Sequence, residues 1–305
     1  MFSTRREVLS VLGGAAIASA VDRPKGVLID THIHLFDEKK FAYHKSAVYK
    51  PAPLPLDAYA KFVKEAKIDH TIIVHPEPYQ DDHAYLEYCF QNEPSKGFFK
   101  GTCLFDPIDP ATPGRMEALM QRNPKRIVAL RVHVNRKPGE TPTVSGAIRD
   151  RDLRHPRMKK TWAAAAKLGL AIQMHFIPHW GKQIGELAAT FPQMPVILDH
   201  LARSGQGTAG EYDEVLALRK LPRVYMKFSG WRYSSKQEHP YLDAKPLVRR
   251  TYDAFGPDRM IWGGLGHNME DFAKAVEVFE AMFAFAAEKD KAKVRGLTAA
   301  KLFGF

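Results

Sequence analysis

Val27-Leu28-Ile29-Asp30-Thr31-His32-Ile33-His34-Leu35-Phe36 is the stretch on which both fold and chemistry turn. Its apolar, β-branched opening predicts a buried strand. Side chains two apart on a strand share a face, so the imidazoles of His32 and His34 are expected to enter one space. Two neutral imidazoles converging from one strand form half of a transition-metal site. A surface strand can carry two histidines with no such role, so the pair gains meaning from what recurs downstream. His175, and later Asp199-His200, also close apolar runs.

Outward from that stretch the pattern repeats. Short apolar runs at 27–36, 70–75, 98–105, 127–134, 170–176, 195–201, 224–228 and 260–262 read as strands. Amphipathic segments at 56–67, 84–93, 113–122, 156–168, 182–191, 211–220, 246–255 and 269–287 read as helices. Gly169, Pro222 and Gly256-Pro257 mark helix ends. Near-continuously apolar strands alternating with helices predict a parallel sheet covered on its outer face. Eight such units in one uninterrupted stretch predict an α/β fold, a (β/α)8 TIM barrel over residues 21–305. A doubly wound sheet is the alternative, but no Gly-x-Gly-x-x-Gly comes directly off a strand run; the one at 205–210 is set off from 195–201 by Ala202-Arg203-Ser204. The Pro-containing stretch 37–55 is expected to loop over the barrel mouth.

The 305 residues carry a formal net charge of +11, with Lys and Arg scattered and no dense basic block. That reads as a solvated basic surface able to attract small anions, not as a nucleic-acid interface. Cys89 and Cys103 lack metal-type spacing, and Cys103 lies in a buried strand as a structural thiol. Residues 1–20 pair Arg5-Arg6 with a short Gly/Ala-rich apolar run and Ala18-Ser19-Ala20. This reads as a twin-arginine signal peptide, implying export to the periplasm and no stable membrane anchor after cleavage. The run is shorter than the ~20 apolar residues of a membrane span.

In such a barrel, chemistry sits at the C-terminal strand ends. Here these carry His32, His34, His75, Arg131, His133, His175, Asp199, His200 and Lys227. His32, His34 and His175 could supply three nitrogens to a divalent ion, leaving His200 as acid or base. Neighbours on a strand diverge, so Asp199 reads as a structural anchor, not as a partner of His200. Arg131, inside an apolar strand, needs an anion: a substrate carboxylate or a core acid. Arg203 is a second candidate anion contact or a loop cation.

Ile29–Phe36, Met174-His175-Phe176, Leu198-Asp199-His200-Leu201, Met226-Lys227-Phe228-Ser229-Gly230-Trp231 and Arg259-Met260-Ile261-Trp262-Gly263-Gly264 occur in order. The set resembles the amidohydrolase-related (amidohydrolase 2) family of the amidohydrolase superfamily, which includes 2-pyrone-4,6-dicarboxylate lactonases. The resemblance implies a distorted barrel and an enzyme acting on small carboxylated compounds. It aligns His32, His34 and His175 with metal-site histidines and His200 with the catalytic histidine. It also aligns Arg131 and Tyr49 with substrate-carboxylate contacts. The family's strand-eight Asp is replaced by Leu265, so either His267, Glu270 or Asp271 substitutes, or the usual hydrolysis does not operate. The cofactor implied is a divalent metal, zinc first, although some lactonases of this group use none. Three functions follow: a hydrolase of a carboxylated lactone or similar ester, a metal-dependent decarboxylase, or a barrel that only binds a small molecule.

Overall fold

The computed structural model describes residues 23–136, 140 and 146–305; the expected leader at 1–20 lies outside them. Eight strands pair in parallel, in chain order: Ile29–Ile33 (β1), His70–Val74 (β2), Phe99–Cys103 (β3), Ile127–Val134 (β4), Ala171–Phe176 (β5), Val196–Leu198 (β6), Val224–Phe228 (β7) and Met260–Trp262 (β8). Helices cover them: Leu56–Glu65 (α1), Ala84–Gln91 (α2), Thr112–Arg122 (α3), Pro156–Lys167 (α4), Gly181–Thr190 (α5), Ala209–Ala217 (α6), Lys245–Phe255 (α7) and Met269–Met282 (α8). This is the (β/α)8 barrel expected from the alternation. None of the described helices is long and apolar enough to cross a membrane.

Local chemistry sets the boundaries. α6 opens on a capping box in which Thr208 and Glu211 satisfy each other's backbone N–H. α8 opens on Asn268, whose side chain accepts the Asp271 N–H at 2.9 Å. Its buried Phe272, Ala275, Val276, Phe279 and Met282 recur at helical spacing and face the sheet.

Two cores result. Most apolar side chains fill the layer between strands and helices. A smaller inner cluster takes Ile29, Ile72, Ala129, Ala171, Ile197 and Ile261 from six strands. It is sealed by Ala299 and Phe303 of a C-terminal helix, Thr298–Phe303 (α10), that the sequence reading missed along with Glu288–Ala292 (α9). Gly296, between them, lies so close to the chain that a Cβ would meet the Val27 carbonyl oxygen at 2.4 Å. The inner layer closes the lower end of the barrel, leaving the upper end for polar groups.

β1 carries a bulge: its register against β2 shifts between Asp30 and Ile33. Ile29 therefore packs inside the barrel while Ile33, four residues on, packs outside. The seam from β8 to β1 is bridged by side chains. Thr31 Oγ1 donates to the Trp262 carbonyl at 2.7 Å, and the Asp30 carboxylate accepts the N–H groups of Gly264 (2.8 Å) and Leu265 (3.1 Å).

Candidate active site

Residues just past the bulge meet as expected. His32 Nε2 and His34 Nε2 stand 3.2 Å apart, with the rings at 88°. His34 Nδ1 is 2.7 Å from the Val74 carbonyl, which can only accept, so His34 carries its proton on Nδ1. Burial holds the His34 ring down to about 3, with Arg131 adding to the effect.

Asp199 is the hub beneath them. Its fully buried carboxylate lies 3.0 Å from Lys227 Nζ and 3.3 Å from Arg131, and accepts from Gln173 Nε2 at 3.0 Å. His32 Nδ1 is 3.8 Å away. Four strands and the turn after β6 thus converge on one acid. Lys227, Arg131 and His32 outweigh the cost of burial and hold its carboxyl well below the usual range. Of the two partners considered for Arg131, the core acid is present. Its Nε has no hydrogen-bond partner among the described residues.

β6 stops at Leu198, and His200, Leu201, Ala202 and Arg203 follow with φ of 58°, 51°, 55° and 51°. Four consecutive left-handed residues without a glycine are strained, and such strain persists where the surroundings over-determine it. The turn abolishes strand alternation after Asp199. It therefore brings His200 back over the same space, against the expectation that the two side chains diverge. His32, Asp199 and His200 each offer a ligand atom within 4.8 Å of the others, a group that could hold a metal ion. Of the expected metal ligands, His34 and His175 are outside this group, although the His175 ring lies 5.2 Å from that of His200.

His200 Nδ1 is 2.9 Å from Ser229 Oγ at the end of β7. A Cβ on Gly230, whose φ is +53°, would lie 2.6 Å from the same nitrogen, so only glycine fits beside the ring. Burial lowers His200 to about 3, with Arg131, Lys227 and Arg203 adding to the effect. The ring is a neutral base at ordinary pH.

His175 faces a different group. Arg203 NH1 points at its Nε2 (3.2 Å) and donates to Asn135 Oδ1 (2.9 Å), while Asn135 Nδ2 is 3.3 Å from His175 Nδ1. A neutral imidazole has one proton, an arginine only donates, and an amide offers one acceptor atom. However the tautomer and amide are assigned, one donor in this triangle faces another donor. Beside it, Arg203 Nε and His133 Nε2 are buried without a partner among the described residues.

Tyr49 lies on the 37–55 loop, 45% exposed, with partial burial pushing its hydroxyl up to about 12 and Arg131 pulling the other way. Leu265 is fully buried in the outer core, and the groups considered as its substitute point away. His267 pairs with Asp271 at 2.9 Å and Glu270 with Lys274 at 2.5 Å, all at the exposed start of α8. The sequence reading placed Lys227 at the mouth without assigning it a role, and gave none to Gln173, Ser229 or Asn135. Gln173 was detectable as a polar residue inside an apolar strand, the same signal that singled out Arg131.

The sequence profile of the family described as Amidohydrolase matches residues 29–305. The chain belongs to that family. Among curated proteins, a 4-sulfomuconolactone hydrolase from Hydrogenophaga intermedia is 27% identical over 241 residues, covering 77% of this chain and 72% of its own. The fold is shared with solved structures. One is a probable 2-pyrone-4,6-dicarboxylic acid hydrolase from Acinetobacter baumannii with citric acid bound, at TM-score 0.73 and 18% identity, covering 91% of this chain and 99% of that one. Another is a Burkholderia multivorans amidohydrolase with bound zinc, at TM-score 0.70 and 14% identity, covering 92% and 100%.

Proposed function

We propose that this amidohydrolase hydrolyses a small carboxylated lactone or similar ester. The observation that carries the reading is the surplus donor at Arg203, His175 and Asn135, next to His133 Nε2, which has no partner among the described residues. One oxyanion oxygen would satisfy it, and a carboxylate is the acceptor such a fork suits. Arg131 and Lys227, both set against Asp199, add positive potential at the same mouth. That field favours an anionic substrate and the oxyanion formed when its carbonyl is attacked. Tyr49 would contact the substrate from the overlying loop.

His200, neutral and fixed by Ser229, is the base we assign. With its Nδ1 proton donated to Ser229 Oγ, Nε2 is left with a lone pair to take a proton from the attacking water. Imidazolium so formed returns the proton to the leaving oxygen, opening the ring to a hydroxy acid. The Nε2 atoms of His32 and His34 also fit two positions on a divalent ion, since 3.2 Å is a spacing two ligands of one ion adopt, which leaves His200 free as the base. A bound ion, zinc being the first choice, would polarise the carbonyl or the water. The related hydrolase and the zinc-bound neighbour support this reading. The leader at 1–20 adds that the enzyme works in the periplasm, testable by its recovery in that fraction.

The test is turnover of a panel of carboxylated lactones and their neutral esters, following acid release and carbon dioxide together. Acid release confined to the carboxylated members, and reduced at least 100-fold in His200→Ala, is expected. Carbon dioxide without ring opening would establish the decarboxylase reading, and binding without turnover the binding-protein reading.

A further inference from the structure

Lys227 is a buried ammonium that the hydrolytic reading uses only as a source of positive potential, a role that does not explain its contact with His32. It sits near the C-terminal end of β7, 1% exposed, with Nζ 3.0 Å from Asp199 Oδ1, 3.0 Å from the Thr31 carbonyl and 3.4 Å from His32 Nδ1. Burying an ammonium is costly unless it is paired, and Asp199 supplies the charge. The contact with His32 does something more. Lysine has only protons to offer, so Nδ1 of His32 accepts, and the single proton of that neutral ring lies on Nε2. His34 has its own proton on Nδ1, held by the Val74 carbonyl, and so presents a lone pair at Nε2. The 3.2 Å between the two Nε2 atoms is then a proper hydrogen bond, His32 donating to His34. Donors and acceptors balance from Lys227 through both rings to Val74.

A divalent ion at these nitrogens must displace the proton between them. His32 would then carry its proton on Nδ1, where it meets an ammonium, donor against donor, although Asp199 Oδ1 at 3.8 Å would otherwise receive it. The ion would also join Lys227 and Arg131 around one carboxylate. We propose that Lys227 is the resident cation of this site, locking the His32–His34 pair in its proton-sharing form and thereby setting a weak affinity for divalent metal. It is a positioning residue, acting on the ion through His32. The inference concerns the site in which we place hydrolysis, but it is tested by metal binding without substrate, so either can fail alone.

The experiment is calorimetric titration of the chelator-treated protein and its Lys227→Met variant with Zn(II) and Co(II), beside elemental analysis of both as purified. The variant is expected to bind one ion at least tenfold more tightly than the natural chain, with cobalt showing the absorption of a low-coordinate nitrogen site. Equal affinities, or weaker binding by a variant with native circular dichroism, would overturn the assignment. Should Lys227→Met not fold, nitrogen-15 NMR of the histidine-labelled natural protein decides. His32 protonated on Nε2 and His34 on Nδ1 is the expected pattern, and a His32 protonated on Nδ1 refutes the lock.

Discussion

The Asp30 carboxylate reaches across the barrel seam and accepts the Leu265 backbone N–H at 3.1 Å, with Gly264 and His32 N–H on its other oxygen. Strand one, which carries the histidine pair, is thereby tied to the loop after strand eight. The Asp30→Asn variant replaces one acceptor oxygen with a donor facing a backbone N–H. It is expected to lose about 1–3 kcal/mol in urea unfolding. Unchanged stability would show that the seam does not depend on this carboxylate.

Because Leu265 packs in the outer core, restoring an acid there does not restore a catalytic group. Leu265→Asp buries an unpaired carboxyl among apolar side chains and is expected to cost about 2–5 kcal/mol. Activity should fall with the folded fraction. A stable Leu265→Asp enzyme with raised kcat would place that side chain in the barrel mouth instead.

Ala202 sits in the middle of the left-handed turn at φ 55°, ψ 22°. Glycine adopts that backbone without the Cβ penalty, so Ala202→Gly should gain about 0.5–1 kcal/mol despite the entropy cost of glycine. Gly230→Ala acts in the opposite sense. The new methyl drives into His200 Nδ1, so kcat should drop at least tenfold with KM little changed. Equal activity of Gly230→Ala and the natural chain would remove His200 from the reaction.

Arg203→Ala should raise KM for a carboxylated substrate about 10- to 100-fold, which is about 1.4–2.8 kcal/mol. Lysine should rescue this only partly, because it lacks the planar fork. A KM effect equally large for an uncharged ester would argue that Arg203 shapes the turn and does not hold the anion.

Acid should destabilise the fold early. Burial lowers His34 and His200 to about 3 and His75 to about 4, whereas the same rings in the unfolded chain protonate near their ordinary 6.5. Above 6.5 both states are neutral and the effect is absent; below it the unfolded chain binds protons the folded one refuses. Stability is thus lost progressively as pH falls from about 6.5 towards the folded-state values. Melting temperatures at pH 8, 6.5, 5 and 4 check this, and a curve flat down to pH 5 would contradict it.

All eight strands and their intervening helices were legible because each strand lies in a short, mostly apolar run and each helix repeats its apolar face. The convergence of histidines on the mouth was legible for the same reason, since strand ends share one rim. α9 and α10 were not: 288–305 is a basic, weakly patterned stretch whose helix depends on the floor it closes.

What the amino-acid sequence determined by itself is therefore local: periodicity sets the elements and their order, and polar residues within apolar runs mark the mouth. What only the tertiary structure decided is partnership. Asp199 became the hub for Lys227, Arg131 and Gln173 because strands distant in sequence bring them together. His200 returned to Asp199 because a left-handed turn replaces the alternation of a strand. Leu265 faces the outer core, while Asp30, a residue of strand one, supplies the carboxylate that holds its backbone. Periodicity constrains neighbours along the chain; which donor finds which acceptor depends on distances that exist only once the barrel has closed.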